Sequence, residues 1–180
     1  MATRLDFSKL TLMDALDLAS LIELEATRRY TEFAETLGTR GTDDAGAVFR
    51  SMAINETKHC EEIAERRQAL FGDRPAKVTL NDIFDVEAPE VGEVRWNMSA
   101  FKAYQLALYS EQKAYAFYDE ALDHIEQPDV KALFEELREE EAEHVGMLVK
   151  IIANLPPSAE IELEDEDYDP DRPARDSFEA

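Results

Sequence analysis

The sequence predicts an all-α domain: a four-helix bundle of two antiparallel hairpins joined by a long crossover, followed by an acidic tail. Three observations predict it. Four long segments carry helical periodicity, the spacings between them run short, long, short, and the second hairpin weakly repeats the first.

The first helix starts after Thr11, whose hydroxyl can cap it while Asp14 completes a capping box, and it ends near Gly38. The second runs from about Asp43 to Phe71, with Gly72 as a left-handed terminator. The third runs from about Ser99 to Glu126. The fourth starts at Pro128, a favoured first helical position, and stops before Pro156-Pro157. At 1.5 Å per residue each is roughly 40 Å long. Short links make each pair a hairpin, and the stretch from Asp73 to Met98, with Pro75, Pro89 and Gly92, reads as the crossover. Residues 1–155 are the expected bundle and residues 156–180 the tail.

Composition narrows the function. A chain of 180 residues, 44% hydrophobic, suits a single core. The net charge of −22, from 41 acidic and 19 basic residues, excludes a generally basic surface, so nucleic acid is not an expected partner. The tail from Pro156 holds ten acidic and two basic residues and is expected to be a mobile, solvating segment. Cys60 is the only cysteine, which excludes an intramolecular disulfide and a four-cysteine metal site within one chain. No run of about 18 apolar residues and no signal-peptide pattern occurs. A cytoplasmic protein without a membrane partner is expected. Apolar faces too broad for one bundle point to a homodimer.

The chemistry lies in a pattern that occurs twice. Glu56-Thr57-Lys58-His59 and Glu141-Ala142-Glu143-His144 each place a Glu and a His three residues apart, one turn along the same helical face. Glu23 lies 33 residues before Glu56, and Glu111 lies 30 before Glu141. On a helical wheel Glu23 falls among Leu12, Leu16, Ala19, Tyr30, Ala34 and Leu37, whereas Glu25 falls on the opposite face. Glu111 falls among Tyr104, Ala107, Tyr115, Tyr118, Leu122 and Ile125. Glu56 shares a face with Phe49, Met52, Cys60 and Ile63, and Glu141 with Phe134, Leu137, Val145, Leu148 and Ile152.

Setting Glu23 on Glu111 aligns Ala26 with Ala114 and Tyr30 with Tyr118. Setting Glu56 on Glu141 aligns Phe49 with Phe134 and Ile63 with Leu148. Glu140 also reaches the face of His144, and this repeat favours Glu141 over it. Four ionised carboxylates in an apolar interior cost several kcal/mol each unless neutralised, and two divalent cations would offset all four charges. Carboxylate-rich coordination with one imidazole per metal suits iron, with manganese as the alternative, better than a thiolate zinc site. Tyr30 and Tyr118 stand seven residues after Glu23 and Glu111 and face inward, as hydrogen-bond partners or electron relays for the site or as packed tyrosines. Cys60 is read as a small packed residue and His124 as a surface or helix-end residue.

The segments LIELEATRRYTEFAE, LALYSEQKAYAFYDEAL, INETKHCEEI and REEEAEHVGML resemble the ferritin-like superfamily and, within it, the rubrerythrin family, over about Leu12 to Leu155. The resemblance implies Glu23, Glu56, His59, Glu111, Glu141 and His144 as ligands of two iron ions, with Glu56 and Glu141 as bridges, the scheme general to ferritin-like di-iron carboxylate bundles. It implies oxidation of Fe(II) with dioxygen or hydrogen peroxide, as a ferroxidase or peroxidase. An iron carrier or storage subunit and a di-iron hydroxylase are the alternatives. Two departures stand out. The four-cysteine rubredoxin domain of classical rubrerythrins has no counterpart in these residues, so electrons would come from a separate donor. Ala114 occupies the position where rubrerythrins tend to carry an additional glutamate, which makes the six-ligand set similar to that of bacterioferritin.

Overall fold

A computed structural model describes residues 6–38, 45–79, 94–95 and 97–162. It contains four long helices: α1 (Leu12–Leu37), α2 (Ala45–Phe71), α3 (Ala100–Leu122) and α4 (Pro128–Ala153). Two short 3-10 turns, Phe7–Lys9 and Pro157–Glu160, flank them, and no strand occurs among the described residues.

Local chemistry sets the helix ends. Thr11 caps α1 by accepting from the Asp14 backbone N–H at 3.2 Å, and the Thr11 N–H donates back to the Asp14 carboxylate at 3.3 Å. Such a cap contributes about 1 kcal/mol. Gly38 and Gly72 follow α1 and α2 with φ of 60° and 59°, a region a side chain would strain. Ser99 caps α3 through the Lys102 N–H at 3.3 Å.

Two expected boundaries move. α3 stops at Leu122 rather than near Glu126, because residues 123–127 must turn the chain into α4 and a residue preceding proline avoids helical backbone; Gln127 is extended, with φ −77° and ψ 122°. The start of the expected tail is also packed structure. Ala159 is buried, the Pro157–Glu160 turn lies on α3, and Glu162 pairs with Lys102. Residues 163–180, the rest of the expected tail, lie outside the described residues, as do residues 80–93 of the crossover and Asp43 at the expected start of α2.

α1 packs along α2 and α3 along α4. Arg67, late in α2, donates from Nε to Asp17, early in α1, at 2.8 Å, so the two helices run antiparallel. The interior divides into two apolar clusters. One is built on Leu16, Ile22, Ile63, Phe117, Phe134 and Leu137, with Phe7 packed edge-on against Phe117 and Phe134 at 5.7 and 6.3 Å. The other holds Tyr30, Phe33, Leu37, Phe49, Met52 and Leu148, with Tyr30 stacked on Phe49 at 5.8 Å. Burying each such large side chain contributes about 1.5–3 kcal/mol. Glu23, Glu56, Glu111 and Glu141 occur in neither cluster. They form a buried polar layer between the two.

Candidate metal centre

Each helix of the bundle carries one glutamate of this layer, and all four are at most 1% exposed. The wheel positions explain why: a residue on the buried stripe of a helix has nowhere to go but inward. Glu25, assigned to the outer face, is instead partly buried and pairs with Arg29 at 2.8 Å. Tyr115, expected on the inward face, is 37% exposed. The buried stripe of α3 leans toward Ala107, Ala114, Phe117 and Ala121, so a residue one turn beyond Glu111 on the other side emerges at the surface. His124 is exposed and Cys60 is half-buried, its thiol 3.9 Å from the Ser20 carbonyl.

The two histidines close the layer. His59 and His144 stack with ring centres 5.1 Å apart and planes within 3° of parallel. His59 Nδ1 lies 3.6 Å from Glu56 Oε2 and 4.0 Å from Glu23 Oε2. His144 Nδ1 lies 2.9 Å from Glu111 Oε2, 3.8 Å from Glu141 Oε2 and 3.9 Å from Glu56 Oε1. Two groups of three therefore place ligand atoms within 4.8 Å of one another: Glu23, Glu56 and His59, and Glu56, Glu111 and His144. Glu56 belongs to both. Glu141 stands beside the second group.

Sequence reasoning missed what Tyr30 bonds to. Its hydroxyl donates to Glu111 Oε1 at 2.8 Å, reaching from α1 to the glutamate of α3 rather than serving its own helix. Glu111 thus has one oxygen on Tyr30 and the other on His144. Tyr118 is equally buried and packs edge-on against Phe134 at 5.4 Å. The seven-residue spacing from Glu23 and Glu111 and the repeat marked both tyrosines, but a wheel of one helix carries no signal of a bond to another.

Electrostatics in the layer are strained. Burial first, then the charges of Glu56 and Glu141, lifts the Glu23 carboxyl well above the usual carboxylate range. Burial likewise lifts Glu141, with His144 opposing it and Glu111 and Glu56 reinforcing it. For His144 burial acts downward, but hydrogen bonding to Glu111 and Glu141 and the surrounding negative charge push it up to about 11. The neighbouring Glu56 carboxylate raises His59. Glu140, the rival to Glu141, is half-buried, and burial raises its carboxyl too.

Both carboxylate oxygens of Glu23 and of Glu56, and Oε2 of Glu141, are buried without a hydrogen bond. An unsatisfied buried polar atom costs about 1–3 kcal/mol, and more when it is charged. A layer of hard oxygen donors left unbonded around a shared glutamate, with an imidazole on each side, is chemically matched to a pair of divalent cations. The donors fit iron or manganese.

Comparison with known proteins identifies a family and a fold. A family model described as rubrerythrin matches residues 14–152, with a second match over 102–175. Among solved structures, an uncharacterized conserved protein from Magnetospirillum magnetotacticum MS-1 is 34% identical, with a TM-score of 0.65 over 82% of this chain and 97% of its own. A hypothetical protein from Pyrococcus furiosus, 19% identical, has a TM-score of 0.50 over 83% of this chain and 94% of its own, a likeness of fold. A search of the curated proteins finds no match.

Proposed function

This chain belongs to the rubrerythrin family, and from that premise we propose that its carboxylate layer holds two iron ions and oxidises Fe(II) with dioxygen or hydrogen peroxide. The observation that carries this reading is the set of buried, unbonded oxygens on Glu23, Glu56 and Glu141 facing two stacked imidazoles. Glu23 and His59 would hold one ion, Glu111 and His144 the other. Glu56, common to both groups, and Glu141 would span them.

When bound, a pair of ferrous ions supplies two electrons, the number that reduces hydrogen peroxide with two protons to two waters. The chain supplies everything else. Tyr30 fixes Glu111 by holding Oε1, so that Oε2 is presented to His144. The apolar clusters on either side exclude water and strengthen each charge interaction in the layer. The raised proton affinities of His144 and Glu23 would set protons in competition with cations for the layer. We take re-reduction to come from a separate electron donor, since the single cysteine among these residues cannot build a four-cysteine electron-relay iron site.

One cleft at the layer is of a size that suits a small oxidant. A cleft that reaches His59 has a volume of about 50 Å³. That is room for a group the size of one or two waters, against roughly 300–1,000 Å³ for pockets that hold organic ligands. This cleft offers no room for an organic substrate.

Replacing Glu56 or Glu141 with glutamine keeps the volume and removes the bridging charge. Both variants are expected to lose the metal pair and the absorbance change that peroxide or dioxygen produces in iron-loaded protein. Full retention of both by the two variants overturns the proposal. Excess Fe(II) separates enzyme from store: two ions retained per chain with repeated peroxide consumption supports turnover, while retention far beyond two supports storage.

A further inference from the structure

Among the six residues of the layer, only the histidines reach solvent to any extent. The His59 side chain is 18% exposed and that of His144 12%, whereas Glu23 is 1% and Glu56 0% exposed. An ion bound for the buried carboxylates must therefore pass an imidazole. The cleft of about 50 Å³ described above opens over His59 between α2 and α4, with Glu62, Arg66, Glu136 and Glu140 around it. Arg66 is engaged by Glu136 at 2.8 Å. Glu62 and Glu140 make no ion pair among the described residues. Glu140 is half-buried and Glu62 exposed, so the two stand at different depths along the cleft. Behind His59 wait the oxygens of Glu56 and Glu23, at 3.6 and 4.0 Å from Nδ1, fully buried and without a hydrogen bond.

We propose that this cleft is the route by which divalent cations reach the carboxylate layer, with Glu62 and Glu140 drawing the ion inward to His59. The proposal rests on the metal-centre reading above and adds to it residues outside the six. A hydrated dication sheds water reluctantly, and carboxylates at successive depths replace that water stepwise while apolar Leu137 keeps the passage narrow. Low-dielectric walls with an excess of one sign of charge, here three glutamates against one arginine, focus the field and raise the association rate without altering the final site. The pairing of Arg66 with Glu136 keeps the one guanidinium at the cleft from neutralising Glu62 and Glu140. A cation descending from Glu140 to His59 first meets Glu23 and Glu56, so the position on the α1–α2 side is the one it reaches first.

The test is the rate of cobalt(II) uptake by metal-free full-length protein, followed by stopped-flow visible absorption at low salt, with the final number of bound ions counted separately. The double variant E62Q/E140Q is expected to take up cobalt at least about fivefold more slowly, with the same final stoichiometry and the same melting temperature. Raising the salt should slow the wild-type protein more than the variant. E32Q/E35Q, a change of equal charge on α1 away from the cleft, should leave the rate unchanged. A double variant at the cleft that loads at the wild-type rate overturns the route. One that loses a bound ion overturns it as well, since Glu140 would then be a ligand. Wild-type protein that binds no cobalt at all overturns the metal centre and, with it, the route, and the equilibrium count distinguishes that result from the other two.

Discussion

At the scale of single residues, Glu111 shows how the layer is held in register. Tyr30 and His144 take its two oxygens at 2.8 and 2.9 Å, and this fixes a carboxylate that would otherwise rotate. Tyr30→Phe leaves Glu111 Oε1 buried with no donor, and its expected cost is about 1–3 kcal/mol, read as a lower denaturation midpoint of the metal-free protein. Adding metal should recover part of that loss, because a cation can occupy the freed oxygen. An unchanged midpoint would mean that the bond contributes nothing. Facing was the legible part of this site: periodicity separated Glu23, Glu56, Glu111 and Glu141 from 21 other glutamates, and the internal repeat chose Glu141, 1% exposed, over the half-buried Glu140. Depth and partners were not legible. Tyr115 emerges at the surface, and Tyr30 serves a helix other than its own, because both depend on where neighbouring helices lie.

At the scale of elements, the ends written in side-chain chemistry were readable and those set by chain reversal were not. The Thr11–Asp14 box and the glycine after α2 sit where local hydrogen bonding and positive φ demand them. The end of α3 depends instead on the residues needed to turn into Pro128, and the burial of Ala159 depends on α3 being there to receive it. The start of α2 has a constraint that no periodicity reveals. A Cβ on Gly46 would collide with the Gly38 carbonyl oxygen and stand 3.2 Å from that of Ala34, both main-chain atoms that cannot swing aside. Gly46→Ala should therefore force α2 away from the end of α1 and cost about 1–3 kcal/mol, despite the better helix propensity of alanine. Gly146→Ala, in α4 with nothing within 4 Å of the added carbon, is the control and should be neutral or slightly stabilising by thermal melt.

At the scale of the whole molecule, two apolar clusters stabilise the bundle while the layer between them works against folding whenever it is charged and metal-free. Glu23 and Glu141 have carboxyls raised by burial and by neighbouring carboxylates, and His144 is raised to about 11. A group whose folded value lies above its unfolded one contributes stability that is complete below the unfolded value and is lost as pH rises through the folded value. All three shifts have this sign. Metal-free protein should therefore melt at progressively lower temperature as pH rises above about 5, where unfolded carboxyls have lost their protons and the raised ones still hold theirs. Cations invert the dependence, because they replace the protons that hold the layer neutral and must compete with them at low pH. The gain in melting temperature on adding manganese(II) should then be largest near pH 8 and fall away toward pH 5, with protons released on binding in a weakly buffered titration. At a hundredfold excess over its dissociation constant, one bound ion contributes about 2.7 kcal/mol. A gain that is independent of pH, or binding without proton release, would show that the carboxylates are already ionised in the metal-free bundle and that something other than protons balances their charge.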